Sequence, residues 1–226
     1  MEDAAQLRQM NLKYPVFETK STAENMKLYD QWAPNYDLDL AKTSRCVGIK
    51  RMTGFVAELV KDKSLQFLDF GAGTGMLGAE LAKLGFENLE AHDGSEKMLE
   101  EAKKKGVYKN IYQELLTPGQ PLLHVPVNNY DVVLLNGCIA PGHLNSDHLP
   151  LVLSVAKVGG LIFIGTREQF LSYDLVKTVA PDWHYDVEQE MMEMERNNLW
   201  KLIERERIPD YLFGNEPGVQ FAFEKL

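Results

Sequence analysis

The sequence predicts an α/β protein: a mostly parallel sheet of about seven strands, helices on both faces, and an antiparallel hairpin at the end. Three observations predict it. Between residues 66 and 179, apolar runs of strand length alternate with stretches of helical period. Two of those runs, Val132–Leu135 and Leu161–Ile164, are continuously apolar, as strands buried on both faces require. The last segment alternates instead: Val219, Phe221 and Phe223 face one way, Gln220, Ala222 and Glu224 the other.

Taken in order, residues 1–20 mix polar residues with Pro15 and hold no period, so a flexible arm is expected there. A polar, aromatic-rich helix follows from about Ser21 to Tyr36, and Pro34 should limit its continuation. A second helix spans about 45–60, with Ile49, Met52, Val56 and Leu59 on one stripe. Strands are expected at 66–70, 88–92, 109–114, 130–136 and 159–165, and helices at 75–84, 95–104, 146–156 and 167–179. A helix over about 187–197 carries Met191, Met192 and Met194, which read as core filler. Trp200–Ile208 and Val219–Glu224 flank a Gly/Pro turn and should pair as a hairpin.

Composition narrows the function. The chain has 226 residues, 45% hydrophobic and 25% charged, which suits one domain with a well-buried core. Its net charge of −9 disfavours nucleic acid, which needs a basic face. Lys103-Lys104-Lys105 follows Glu100-Glu101 on a helix and reads as a solvated face. No apolar run approaches the roughly 20 residues of a membrane span, and no signal-peptide core is visible, so a cytoplasmic protein is expected, with the nucleus open. Cys46 and Cys138 lie far apart without metal-ligand spacing, which argues against a disulfide scaffold or a metal site.

The chemistry concentrates at Phe67-Leu-Asp-Phe-Gly-Ala-Gly-Thr-Gly75, an apolar strand running into three alternating glycines and then a helix. Such a loop turns tightly, admits a ligand against its backbone, and aims a helix N-terminus at it. A Walker loop is excluded because no Gly-Lys-Ser/Thr follows. Gly73-Thr-Gly-Met-Leu-Gly78 does satisfy the dinucleotide pattern, but Asp69 places a carboxylate beside the loop. That charge repels a pyrophosphate and suits a ligand with a cationic end.

Leu68-Asp-Phe-Gly-Ala-Gly-Thr-Gly75 resembles the first motif of class I S-adenosylmethionine-dependent methyltransferases, which have a Rossmann-like fold. Tyr29-Asp-Gln-Trp-Ala-Pro-Asn-Tyr-Asp37 resembles the lid of a subset that includes the Williams–Beuren-region methyltransferase-like proteins. The resemblance covers about residues 20–226. It implies S-adenosylmethionine as cofactor, S-adenosylhomocysteine as product, and a set of contacts. Asp69, Gly71, Ala72 and Gly73 form the loop; Asp93, with Gly94 and Met98 beside it, holds the ribose hydroxyls. Glu114 and Leu115 meet the adenine, Asn136 the amino-acid end, and Trp32 and Tyr36 close over the top. One domain over 21–226 results: a helical lid and first helices (21–62), a cofactor core (63–166), and substrate-side helices with the hairpin (167–226).

The implied function is methyl transfer to a small-molecule acceptor, with protein substrates open and no membrane partner. A fold that binds the cofactor without turnover is the alternative, because no essential base is visible. His143, in the breaker-rich segment 136–144, is the candidate base if one is needed. Cys138 reads as a small core residue, and no catalytic residue is assigned.

Overall fold

The computed structural model describes Val16 and residues 21–43, 47–177, 180–212 and 216–226. Of the expected arm only Val16 falls among them, buried beside Trp32; Cys46 lies outside the described residues. The elements run α1 (Thr22–Thr43), α2 (Val47–Leu59), β1 (Phe67–Phe70), α3 (Met76–Lys83), β2 (Leu89–Asp93) and α4 (Glu96–Lys104). Then come β3 (Tyr108–Gln113), β4 (Tyr130–Asn136), α5 (Leu149–Val155), β5 (Ala156–Arg167), α6 (Tyr173–Val176), α7 (Val187–Arg196), β6 (Trp200–Leu212) and β7 (Glu216–Lys225).

One seven-stranded sheet has the order β3-β2-β1-β4-β5-β7-β6. The first five are parallel, and β7 runs antiparallel to both β5 and β6. Strand period 2 explains the two cores. Phe67, Val132, Leu134 and Phe163 face Met52, Phe55 and Val56 of α2 and Leu77 and Leu81 of α3. Leu68, Phe70, Val133, Leu135, Ile162 and Ile164 face Leu149, Val152 and Val155 of α5 and Met191 and Met194 of α7. Chain order reverses direction at β1, so the carboxyl ends of β1 and β4 open a crevice there.

Two expectations are corrected. Pro34 does not end the first helix: α1 continues to Thr43 with Pro34 inside it. Leu28, Trp32, Tyr36 and Leu40 recur every fourth residue and pack as one cluster with Val16, while Pro34 is exposed. Burial along that stripe outweighs the roughly 3 kcal/mol cost of an interior proline. The helix expected at 167–179 is instead a 3-10 turn, Glu168–Phe170, and the four-residue α6; residues 178–179 are outside the described set. Arg167 is held in the sheet opposite Gly218, and Ser172 is extended, so no continuous helix can form between them. The hairpin also extends further than expected: β6 runs to Leu212 through Pro209, tolerated because β6 is an edge strand. Among the described residues no helix is long and apolar enough to cross a membrane.

Trp200 joins the hairpin to α7. It is fully buried, stacks on Phe223 at 4.3 Å, and donates from Nε1 to the Met191 carbonyl at 2.9 Å. Trp200→Ala is expected to lower the unfolding free energy by about 3–5 kcal/mol in urea denaturation, through the cavity it leaves.

Candidate functional site

The glycine loop begins where β1 ends. Gly71, Gly73 and Gly75 all have positive φ, at 81°, 56° and 79°, so the alternation of glycines is a backbone requirement. The amides of Gly71 and Ala72 both donate to the His92 carbonyl at 2.8 Å, which straps the loop to the end of β2. Close approach matters as well: a Cβ on Gly71 would lie 2.5 Å from the Cys138 Sγ. The third glycine of the G-x-G-x-x-G pattern has a different purpose here. A Cβ on Gly78 would lie 2.2 Å from the Tyr108 hydroxyl, which passes over α3 to donate to Asp69 Oδ2 at 2.6 Å.

Asp69 is buried, and burial pushes its carboxyl up to about 6 against the Tyr108 bond that lowers it. Asp93 closes β2 nearby. Its Oδ2 accepts from the Gly73 amide and its Oδ1 from the Ser95 amide, each at 2.8 Å. Burial raises it too, opposed by those amides. Each oxygen retains lone-pair capacity beyond the amide it accepts. His92, between them in sequence, is buried and stacks on Phe70 at 4.6 Å, and neither ring nitrogen has a hydrogen-bond partner among the described residues.

At the end of β3, Glu114 spends its carboxylate on the backbone: it accepts from Leu123 N at 2.7 Å and His124 N at 3.0 Å. It thereby closes the loop that follows and sets Leu115 at the rim. Asn136 ends β4, and its Oδ1 accepts from the Tyr211 hydroxyl at 3.0 Å. The Tyr211 ring lies where a Cβ on Gly48 or Gly218 would fall, at 2.7 and 2.2 Å, so only glycine at both positions admits it.

Helix α1 covers the crevice. Trp32 and Tyr36 meet edge to face at 4.6 Å, and Tyr29 stacks on Trp32 at 6.1 Å. Two acids of α1 clasp it to the loops below. Asp37 accepts from Thr74 Oγ1 at 2.5 Å and from Lys105 Nζ at 2.7 Å. Asp30 accepts from Ser95 Oγ at 2.6 Å and Lys97 N at 3.1 Å.

One cavity gathers every residue expected to meet the cofactor: Trp32, Tyr36, Asp69, Gly71, Ala72, Gly73, Asp93, Gly94, Met98, Glu114, Leu115 and Asn136. His143 lines it too. Its Nδ1 lies 2.8 Å from the Pro141 carbonyl, an acceptor only, so Nδ1 carries the proton; Nε2 then accepts from the Tyr29 hydroxyl at 2.7 Å. Burial pushes His143 down to about 4, and the Arg167 charge adds to it. Tyr29, His92, Arg167 and Tyr211 also line the cavity, none of them expected. Tyr29 had a signal, since it precedes Trp32 by three within the aromatic motif. Arg167 had a fainter one, a charge closing an apolar strand as Asp93 does. Tyr211 had none.

Residues 67–160 match a family described as a methyltransferase domain. Human methyltransferase-like protein 27 is 34% identical over 151 residues, covering 64% of this chain and 58% of that protein, so the chain spans less than two thirds of that relative's length. Over residues 67–160 the chain is thus similar to methyltransferase domains, and its sheet has the fold of S-adenosylmethionine-dependent methyltransferases. The TehB-like S-adenosylmethionine-dependent methyltransferase of Corynebacterium glutamicum superposes on 88% of this chain and 98% of its own, at TM-score 0.60 and 15% identity. The magnesium protoporphyrin IX methyltransferase of Synechocystis, solved with bound SAH, covers 79% of this chain and 82% of its own, at TM-score 0.56 and 16% identity. At these identities the likeness concerns the fold. S-adenosylmethionine is the cofactor of such a domain, and the methyltransferase cavity fits it. Asp69, buried, and Asp93, partly buried, suit an ammonium and a ribose diol and would repel a pyrophosphate.

Asp69 has an ordinary value of 3.8 and lies near 6 in the folded domain, so the native state binds more protons between those values. Stability therefore falls as pH rises from about 4 to about 6. Asp69→Asn is expected to raise the unfolding free energy by about 1–3 kcal/mol at pH 7 and much less at pH 4, read by urea titration at both.

Proposed function

We propose that this chain transfers a methyl group from S-adenosylmethionine to a small-molecule acceptor. The observation that carries the reading is the pair of acids, Asp69 buried and Asp93 partly buried, on either side of a glycine cradle, under an aromatic lid. In this reading Asp93 holds the ribose hydroxyls and Asp69 stands toward the cationic amino-acid end. Gly71–Gly73 let the ligand lie against backbone, and Gly94, Met98 and Leu115 flank the adenine. Glu114 acts through the loop it closes, and Asn136, its oxygen engaged by Tyr211, offers its amide N–H group.

The cofactor, when bound, supplies a methyl carbon already activated by a positive sulfur. The chain's own residues align the acceptor and exclude water. Trp32 and Tyr36 cover the cavity, clasped down by Asp37 and Asp30. Proton removal is a weak function of this site. Burial holds His92 and His143 near 4, and it raises the Tyr29 hydroxyl and the Cys138 thiol. His143 is thus a fixed acceptor that orients Tyr29, and the acceptor must bring its own available lone pair. The net charge of −9 supports a small molecule over nucleic acid.

Titration calorimetry with S-adenosylhomocysteine is expected to give micromolar affinity, about 8 kcal/mol, and no heat with NAD. Absence of product binding would refute the cofactor reading. Asp93→Ala is expected to weaken it by about 1.5–3 kcal/mol. Affinity should also tighten as pH rises from 5 to 7, because a cationic ligand favours ionised Asp69, whose carboxyl lies near 6. In Asp69→Asn that pH dependence should flatten, measured by the same titration at each pH.

A further inference from the structure

The edge strand sends one side chain into the cavity. β6 lies at the far end of the sheet, and β7 and β5 stand between it and β4. Ile208 pairs with Gly218 and Leu212 with Glu216, so Pro209, Asp210 and Tyr211 stand against Pro217 alone. Neither proline has an N–H to give the ladder, and a bulge of this kind re-aims a side chain. The side chain re-aimed here is Tyr211, which is buried and lines the cavity. Glycines of three elements clear its way: Gly48 of α2, Gly218 of β7 and Gly165 of β5. A Cβ on Gly165 would lie 3.5 Å from the Tyr211 hydroxyl and 2.5 Å from Asn136 Oδ1. The hydroxyl reaches that oxygen at 3.0 Å, at the carboxyl end of β4.

We propose that Tyr211 is a positioning residue: its hydroxyl holds the Asn136 oxygen and so turns the Asn136 amide N–H group to the carboxylate of the bound amino-acid end. This rests on the proposed cofactor reading and adds the residue that selects the orientation of Asn136. An asparagine amide has two ends of similar size and opposite character. The nitrogen end donates to a carboxylate, whereas the oxygen end repels it. A hydroxyl that donates to Oδ1 decides between them, because the nitrogen must then face the other way. Burial pushes the Tyr211 phenol up from its ordinary value, so the proton stays on the donor. Neighbouring strand ends complete the match. β1 and β4 are adjacent and parallel, with Asp69 opposite Leu134, so Asn136 ends the strand beside the one that carries Asp69. An acid on one strand and an amide donor on the next suit the ammonium and the carboxylate of one zwitterion.

The test is titration calorimetry on the full chain with three ligands. S-adenosylhomocysteine has the whole amino-acid end, S-adenosyl-3-thiopropylamine lacks only the carboxylate, and 5′-methylthioadenosine lacks both charged groups. The unaltered chain should bind the first about tenfold more tightly than the second. Tyr211→Phe keeps the ring between the glycines and removes only the hydroxyl. In it, affinity for S-adenosylhomocysteine should fall about five- to tenfold, while the two truncated ligands stay within about twofold. Asn136→Ala should show the same selective loss, and adding Tyr211→Phe to it should cost nothing further, since Tyr211 acts through Asn136. Thermal midpoints measured alongside separate lost positioning from lost folding. Should Tyr211→Phe not fold, the unaltered chain and Asn136→Ala still decide. Equal loss for all three ligands, unchanged product affinity in Tyr211→Phe, or a further loss in the double variant overturns the inference. So does equal binding of the first two ligands by the unaltered chain, the result a flipped amide would give. All of those outcomes leave the cofactor reading standing. Failure of all three ligands to bind the unaltered chain strikes that reading, and the inference with it.

Discussion

The carboxyl edge of the sheet is held by a short chain of hydrogen bonds, and the site depends on it. Gly71 and Ala72 donate to the His92 carbonyl, Gly73 to the Asp93 carboxylate, and the Glu114 amide to the Asp93 carbonyl. Those bonds lock the ends of three adjacent parallel strands to one another. They also fix where the two acids sit, because Asp93 is held by the very loop that Asp69 leads into. The lid uses the same anchorage: Asp37 reaches Thr74 within the glycine loop, and Asp30 reaches Ser95 just after Asp93. Loop, acid and lid therefore form one connected rim. A change in the register of β1 against β2 would move all three together.

Electrostatics then divides the cavity. Near the rim, burial makes the carboxyls harder to ionise, which favours ligands that bring positive charge or hydroxyl donors. Toward β5 the sign reverses at Arg167. Between the two lie aromatic rings and histidines held neutral by desolvation. An arrangement of this kind does little acid–base work. Under the proposed function its contribution is to place two reactants and to strip water from them, which is where methyl transfer from an activated donor gains most.

Much of this was legible before any coordinates. The glycine spacing, the acids at the ends of β1 and β2, and the apolar strands all read correctly from residue type and period. Pro34 misled because its cost is local, while the stripe of Leu28, Trp32, Tyr36 and Leu40 that outweighs it acts only when packed. Residues 167–179 misled for a related reason: pairing of Arg167 with Gly218, some fifty positions away, overrides local helical preference. Glu114 shows a subtler difference, since its position was apparent but the backbone amides that occupy it were not.

By itself the sequence determined what has a local cause: three glycines that must take positive φ, a helix launched from them, and acids near the carboxyl ends of two strands. Those features carry the expectation of a nucleotide-like ligand with a cationic end, through backbone geometry and charge. Tertiary structure decided which distant residues meet. It passed Tyr108 over Gly78 to reach Asp69, wedged Tyr211 between Gly48 and Gly218, paired Tyr29 with His143, and brought Arg167 into the cavity. No sequence period encodes such contacts. They arise because parallel strands, joined by crossovers of unrelated length, deliver their carboxyl ends to one edge, where side chains far apart in sequence share a single desolvated space.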